Sequence, residues 1–227
     1  MTSLEFRDRV ARRARRAKAP LTIAMLDPLE AYFRLLTLWN AKINLTALPL
    51  DPPTDETFDR LLVEPLAAAA HLTRGLKPGS DPCLWFDLGS GGGSPAIPLL
   101  IARPSMKLTM IESKERKSAF LREALRCAGL AHTASVLTER FEVVAGIADH
   151  AHSADIVTVR AVKTDGQLFE TAAQLLKADG RLFLFRPAHD AGPDPAGFGR
   201  ESTVRLIESP ATFLSSYRRV FHVEQSR

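Results

Sequence analysis

A chain of 227 residues, 45% hydrophobic and 25% charged, is long enough to bury one sizeable core and has the composition of a globular protein, not a disordered or fibrous one. No apolar run approaches the length that crosses a bilayer, and the arginine-rich N-terminus lacks the apolar stretch of a secretion signal, so a cytoplasmic protein with no membrane attachment is expected. The net charge of +4 is concentrated at one end, where residues 1–18 hold Arg7, Arg9, Arg12, Arg13, Arg15, Arg16 and Lys18 against Glu5 and Asp8; this is either a phosphate-binding arm or a solvated helix face.

In chain order, apolar residues recur at helical spacing from Leu21 to about Leu48, with Leu29, Tyr32, Phe33, Leu35, Leu36 and Trp39 as the stripe. Asp51-Pro52-Pro53 breaks that helix, and Thr54-Asp55 opens another that carries Arg60, Leu61, Leu62, Val63 and an alanine run. Lys77 to Pro82 has the composition of a linker, which divides the chain into a basic N-terminal helical extension (1–80) and one compact main unit (81–227). Strands are predicted at Leu84–Leu88, Leu108–Ile111, Ala134–Leu137, Asp155–Val159 and Arg181–Phe185. Helices alternate with them at Pro95–Ala102, Lys114–Ala128, Phe141–Ala148 and Gln167–Leu176. That alternation predicts an α/β fold with a parallel sheet covered on both faces. Pro187 to Gly199 reads as a flexible loop, and Thr203–Glu208 with Tyr217–Val223 as two last strands on an antiparallel edge. Cys83 and Cys127 stand in apolar surroundings and are assigned to the core, with no disulfide between them.

The most informative segment is Asp87-Leu88-Gly89-Ser90-Gly91-Gly92-Gly93-Ser94-Pro95, directly after the first strand and before a helix. Glycines there let the chain turn sharply and let backbone N–H groups approach a ligand closely. Glu112 closes the second strand and is placed to accept the ribose hydroxyls of an adenosine. A dinucleotide fingerprint would space its glycines differently, and the acidic Asp87 beside the loop repels phosphate. Asp87 suits a cationic sulfonium or an ammonium group, held directly or through water, which favours S-adenosylmethionine over NAD. No P-loop motif occurs. The six histidines, His71, His132, His150, His152, His189 and His222, do not cluster at ligand spacing, so no metal site is expected.

Several strings taken together carry a family resemblance. They are Trp39-Asn40-Ala41-Lys42-Ile43-Asn44-Leu45-Thr46-Ala47, the Asp87 to Pro98 loop, Ile101 to Pro104, Glu112-Ser113 with Lys117 and Phe120 to Arg122, and Arg160-Ala161-Val162. From about Leu29 to Arg186 the chain resembles the RsmG (GidB) family of bacterial 16S ribosomal RNA guanine-N7 methyltransferases. The resemblance implies a Rossmann-like, seven-stranded class I methyltransferase sheet and S-adenosylmethionine as cofactor. It also implies 16S ribosomal RNA or the 30S subunit as partner, with a monomer favoured. Matched residue by residue, it places Gly89, Ser94, Phe141, Glu142 and Arg160 at the cofactor, Phe141 and Glu142 beside the adenine. Three positions depart from the family pattern: Ser94 where phenylalanine or leucine is usual, Glu112 where aspartate is, and Arg186-Pro187 where lysine-glycine is.

The cofactor set expected from residues and resemblance together is Asp87, Gly89, Gly91, Gly93, Ser94, Glu112, Phe141, Glu142 and Arg160. Arg160 and Asn44 are the candidates for substrate positioning. For Arg160 the alternative is a salt bridge to a carboxylate, and for Asn44 a helix-end cap. No proton-transfer residue is expected, because guanine N7 attacks a methyl group through its in-plane lone pair without first losing a proton. Methylation of another RNA, a protein or a small molecule, and a non-catalytic RNA-binding assembly factor, are the competing functions.

Overall fold

In the computed structural model, residues 1–72, 83–187 and 194–220 are described. The short apolar runs become β1 (Leu84–Leu88), β2 (Lys107–Ile111), β3 (Ala134–Leu137), β4 (Ala154–Arg160), β5 (Leu176–Arg186), β6 (Phe198–Glu208) and β7 (Ala211–Arg219). These form one seven-stranded sheet in the order β3-β2-β1-β4-β5-β7-β6. The first five strands are parallel, β7 runs antiparallel to β5, and β6 antiparallel to β7. The chain builds outward from β1 to β3 and then returns to lay β4 on the other side of β1. Open α/β sheets bind ligands at such a reversal, beyond the carboxyl ends of the two strands.

Helices α1 (Ser3–Arg16), α2 (Ile23–Asn40), α3 (Asp55–Phe58) and α4 (Glu64–Leu72) precede the sheet, with a π-helical turn at Asp59–Val63 between the last two. α5 (Ala96–Ala102), α6 (Glu115–Cys127), α7 (Phe141–Ala145) and α8 (Gly166–Leu175) link the parallel strands. α1 starts in a capping box: the Thr2 hydroxyl accepts from the Glu5 N–H, and the Glu5 carboxylate accepts from the Thr2 N–H. Its Phe6, Val10 and Ala14, four residues apart, form a buried stripe. The Phe6 ring meets Phe33 at 5.5 Å and Phe58 at 5.7 Å, and Phe33 stacks on Phe58 at 5.3 Å, so one aromatic junction joins α1, α2 and α3.

A single buried cluster runs from Phe6, Leu36, Phe58 and Leu66 into Trp85, Ile97, Phe120 and Phe183, so the N-terminal helices close one face of the sheet together with α5 and α6. The other face packs Phe86, Val157 and Leu184 against α7 and α8. The residues before the sheet thus share its core. The boundary expected near residue 80, like the linker Lys77 to Pro82, lies outside the described residues.

Several expectations are corrected. α2 stops at Asn40, not near Leu48, because the Asn40 side-chain oxygen accepts from the N–H groups of Leu45 and Thr46 and turns the chain back. α7 ends at Ala145, with Gly146 as its cap. β5 is longer than Arg181–Phe185; the last two strands do form an antiparallel edge, as a hairpin through Ser209-Pro210, but they span Phe198–Glu208 and Ala211–Arg219, not Thr203–Glu208 and Tyr217–Val223. Phe198 and Gly199 already belong to β6; residues 188–193 of the loop expected at 187–199 lie outside the described residues, as does the end of Tyr217–Val223. Cys83 is buried as expected, but Cys127 closes α6 on its exposed side, where its thiol faces Glu123.

Removing the ring that links three helices should show how firmly α1 is held. Phe58→Ala is expected to lower the unfolding free energy by about 3–5 kcal/mol, measured by urea titration. A loss of only about 0.5 kcal/mol, the scale of a surface change, would mean that the aromatic junction does not hold α1.

Candidate active site

β1 ends in a turn that only glycine accommodates. Gly89, Gly91 and Gly93 all have positive φ (70°, 51° and 86°), a region where a side chain strains the backbone. At Gly89 and Gly92 the surroundings leave no room for one: a Cβ on Gly89 would come within 2.7 Å of Val162, and on Gly92 within 2.9 Å of the Leu45 carbonyl oxygen. The loop is held from below by N–H donations of Gly89 and Ser90 to the Ile111 carbonyl, at 2.9 and 3.1 Å.

Glu112 stands at the end of β2 with its side chain buried. One carboxylate oxygen accepts from the Gly91 N–H at 2.9 Å and the other from the Lys114 N–H at 2.8 Å. A carboxylate has about four acceptor sites, so this double clamp fixes its orientation and still leaves capacity for two hydroxyls. The clamped group lines a cleft of about 520 Å³ together with Gly89, Ser113, Lys114, Phe141 and Glu142. Phe141 and Glu142 open α7 at the far wall, with Arg140 pairing to Glu142 at 3.3 Å.

Four of the expected residues, Gly89, Glu112, Phe141 and Glu142, therefore surround one cavity beside the strand-order reversal. The remainder occupy different positions. Asp87 is buried beneath the loop, with one oxygen accepting from the Thr158 hydroxyl at 2.5 Å and the other from the Ser90 hydroxyl at 2.7 Å. Thr158 in turn accepts from the Trp85 indole N–H at 2.8 Å, completing a buried chain from β4 through β1 to the loop. Burial pushes the Asp87 carboxyl up to about 6, against the two hydroxyl donations, which pull it down.

Ser94 and Arg160 meet each other at the exit of the loop. The Ser94 hydroxyl donates to the Leu61 carbonyl at 2.8 Å, and its own carbonyl accepts from Arg160 at 2.8 Å. A second Arg160 nitrogen donates to the Arg60 carbonyl at 2.6 Å. Desolvation lowers the Arg160 guanidinium from its ordinary range, while Glu64 opposes that shift. Glu64 is fully buried and lies 2.9 Å from Arg60, and burial raises its carboxyl despite both arginines. The salt-bridge alternative for Arg160 is thus present only as a nearby charge, since its guanidinium donates to two carbonyls.

Asn44 is exposed in the turn after α2 and is not the helix cap offered as its alternative role; the C-cap is Ala41, and the side chain that holds the turn is Asn40. The turn itself still reaches the site, because the neighbouring Leu45 carbonyl abuts Gly92 and the Tyr32 hydroxyl donates to the Gly92 carbonyl at 2.7 Å. No role at the site is read from sequence for Tyr32, Asn40, Arg60, Glu64 or Thr158. A hydroxyl in the apolar run Asp155 to Val159 was the one signal for Thr158; the others look like ordinary helix residues. Among the described residues no group of three His, Cys, Asp or Glu side chains could hold a metal ion.

Comparison with known proteins follows the same outline. The family model described as rRNA small subunit methyltransferase G (GidB) matches residues 25–192. A ribosomal RNA small subunit methyltransferase G of Stenotrophomonas maltophilia (strain K279a) is 34% identical over 187 residues, covering 80% of this chain and 80% of that protein. One of the same name from Xylella fastidiosa (strain M23) is 37% identical over 166 residues, covering 73% of this chain and 71% of its own length. Among solved structures, a SAM-dependent methyltransferase from Aquifex aeolicus superimposes with a TM-score of 0.52 at 15% identity, over 71% of this chain and 92% of that one. The mitomycin 7-O-methyltransferase MmcR gives 0.58 at 20% identity, over 83% and 60%. At these identities the two structures speak for the fold, a class I methyltransferase sheet.

The buried Asp87 carboxyl has a pH consequence. Its value in the fold lies above the ordinary 3.8, so between those two points the folded state holds a proton that the unfolded chain has released. Its contribution to stability is therefore present below about pH 4 and lost as pH rises to about 6, a fall on the order of 3 kcal/mol. Asp87→Asn is expected to flatten that part of the stability profile relative to wild type, followed by urea unfolding at stepped pH. Parallel profiles for the two proteins would show that the group titrates normally.

Proposed function

The chain belongs to the rRNA small subunit methyltransferase G family, and on that premise we infer that it transfers a methyl group from S-adenosylmethionine to N7 of a guanine in small-subunit (16S) ribosomal RNA. The observation that carries the cofactor half of this reading is the Glu112 carboxylate, clamped by two backbone N–H groups on the wall of the cleft that Gly89, Phe141 and Glu142 also line. The three positive-φ glycines fit the same ligand, since they leave backbone without side chains where an amino-acid moiety must come close. Bound there, S-adenosylmethionine supplies a methyl group on a positively charged sulfur.

The chain's own residues then hold and orient. Glu112 accepts the ribose hydroxyls, Phe141 presents its ring to the adenine, and Gly89 with Gly91 lines the path of the amino-acid end. Asp87 acts from beneath by fixing Ser90 and so the shape of the loop. Ser94 contributes its carbonyl to Arg160, which ties the loop exit to the π-helical turn. Asn44, exposed beside the loop, is open to the RNA. No side chain is assigned a proton transfer, because the lone pair of guanine N7 needs none. Holding nucleophile and methyl in line supplies the rate, and pre-oriented reactants recover roughly 7–11 kcal/mol of a barrier.

Glu112→Ala is expected to weaken S-adenosylmethionine binding by about 1.5–3 kcal/mol, the worth of hydrogen bonds to a charged group, in a calorimetric titration. Unchanged affinity would remove Glu112 from the ribose, and binding of NAD in place of S-adenosylmethionine would reject the cofactor. For the whole activity, labelled S-adenosylmethionine is supplied with 30S particles or naked 16S RNA, and the modified base is mapped by mass spectrometry. One 7-methylguanosine is expected; label in another base, or none, overturns the reading.

A further inference from the structure

We propose that the exposed cations at the carboxyl-terminal end of α1, Arg12, Arg15, Arg16 and Lys18, form a phosphate-binding face for the RNA substrate, set on the rim of the methyl-transfer site. The proposal rests on the RNA reading above and names a surface that lies before the matched family region at residues 25–192.

The structure divides the seven basic residues of this segment into two groups. Arg7 pairs with Asp27 and Glu30, Arg9 donates to Asp55 and the Pro53 carbonyl, and Arg13 pairs with Asp55 and Asp59. These three hold α1 to its neighbours. Arg12, Arg15 and Arg16 are exposed, and among the described residues they and Lys18 form no ion pair. Arg15 and Arg16 stand three and four residues after Arg12, which puts the three on one face of the helix, and Lys18 follows just past its end. The buried stripe Phe6, Val10 and Ala14 fixes the roll of α1, so that face is directed outward. Attraction to the helix dipole accounts for cations in the last turn but not for Arg12 or Lys18, which lie outside it.

Two contacts place this face at the ligand end of the sheet. The Arg13 Nε donates to Asp59 at 2.8 Å, and the carbonyl of the next residue, Arg60, accepts from Arg160 at the loop exit. Arg13 and Arg16 also line a small recess with Ile207, Glu208 and Ser209, at the β6–β7 turn. The pairings Glu208 with Ala211 and Arg186 with Phe213 put that turn beside the carboxyl end of β5. It therefore stands on the same rim as the carboxyl ends of β1 and β4. An RNA strand presenting its guanine to the cleft passes this rim with its phosphates toward these cations.

Three of the four cations are arginines, whose planar fork matches phosphate oxygens with two donors. A helix that lies in a membrane interface presents an exposed apolar face beside its charges. The apolar stripe of α1 is already spent in the core.

The test compares full-length wild type with an Arg12→Gln/Arg15→Gln/Arg16→Gln variant on 30S particles, with affinity followed across salt concentration. Each lost phosphate contact lowers the slope of log K against log salt by about 0.7–0.9, so the variant should be shallower by about 2–3. KM for RNA should rise about tenfold or more near physiological salt, with kcat and S-adenosylmethionine affinity unchanged. An unaltered slope in an active, cofactor-binding variant overturns the proposal and leaves the proposed function standing. A wild type that binds cofactor but methylates no RNA overturns both. Binding to phosphatidylserine vesicles that is lost in the variant, with RNA affinity retained, would reassign the face to a lipid surface and also overturns it.

Discussion

The structure depends on how closely backbone is packed around the turn between β1 and α5. Val162 presses on Gly89, the Leu45 carbonyl on Gly92, and Ile97 with Tyr32 on Gly93, with no space for a side chain at any of the three. Elements distant in sequence must converge to within van der Waals contact for that turn to exist in one shape. The α2 helix brings Tyr32 and the turn after it brings Leu45, β4 brings Thr158 and Arg160, and β2 brings Glu112. The cleft is what these elements leave open on the outer side of the turn.

Buried charge is distributed so that each group also orders backbone. Asp87 sits under the turn and captures two hydroxyls, one from the loop and one from β4. Glu112 captures two N–H groups, one from the glycine turn and one from the start of α6. Arg160 captures two carbonyls, one from the loop exit and one from the π-helical turn, with Glu64 nearby to offset its burial. Unpaired burial of any of these would cost several kcal/mol, so the network favours one arrangement over looser alternatives. A rigid, pre-shaped cleft suits a reaction in which no proton is moved and geometry supplies the rate.

The N-terminal helices serve both purposes. Their apolar stripes complete one face of the core, and their charges on the side facing the chain bind α1 to the π-helical turn that touches Arg160. What had the sequence appearance of a basic appendage is a covering layer with only its outer charges unpaired. The same residue type therefore has two fates within one helix: Arg7, Arg9 and Arg13 reach carboxylates of α2, α3 and the π-helical turn, and Arg12, Arg15 and Arg16 form no ion pair among the described residues.

The sequence by itself determined the alternation of strands and helices, the place of the glycine turn between β1 and α5, and Glu112 at the end of β2. These are local: strand periodicity, turn chemistry and spacing are written in neighbouring residues. The end strands were only half legible, because β7 lies between β5 and β6 and is buried on both faces. Its serines pair with Ser202 and Thr203 across the hairpin, which erases the polar-apolar alternation. Tertiary structure alone decided that Asp87 faces hydroxyls in the core, that Asn40 and not Asn44 turns the chain after α2, and that Arg160 grips carbonyls beside a buried Glu64. It also decided which arginines of α1 are paired. Most of these outcomes depend on distant partners, Arg13 on Asp59, Asp87 on Thr158 and Arg160 on Arg60, and no local pattern encodes the partner of a side chain at such separations.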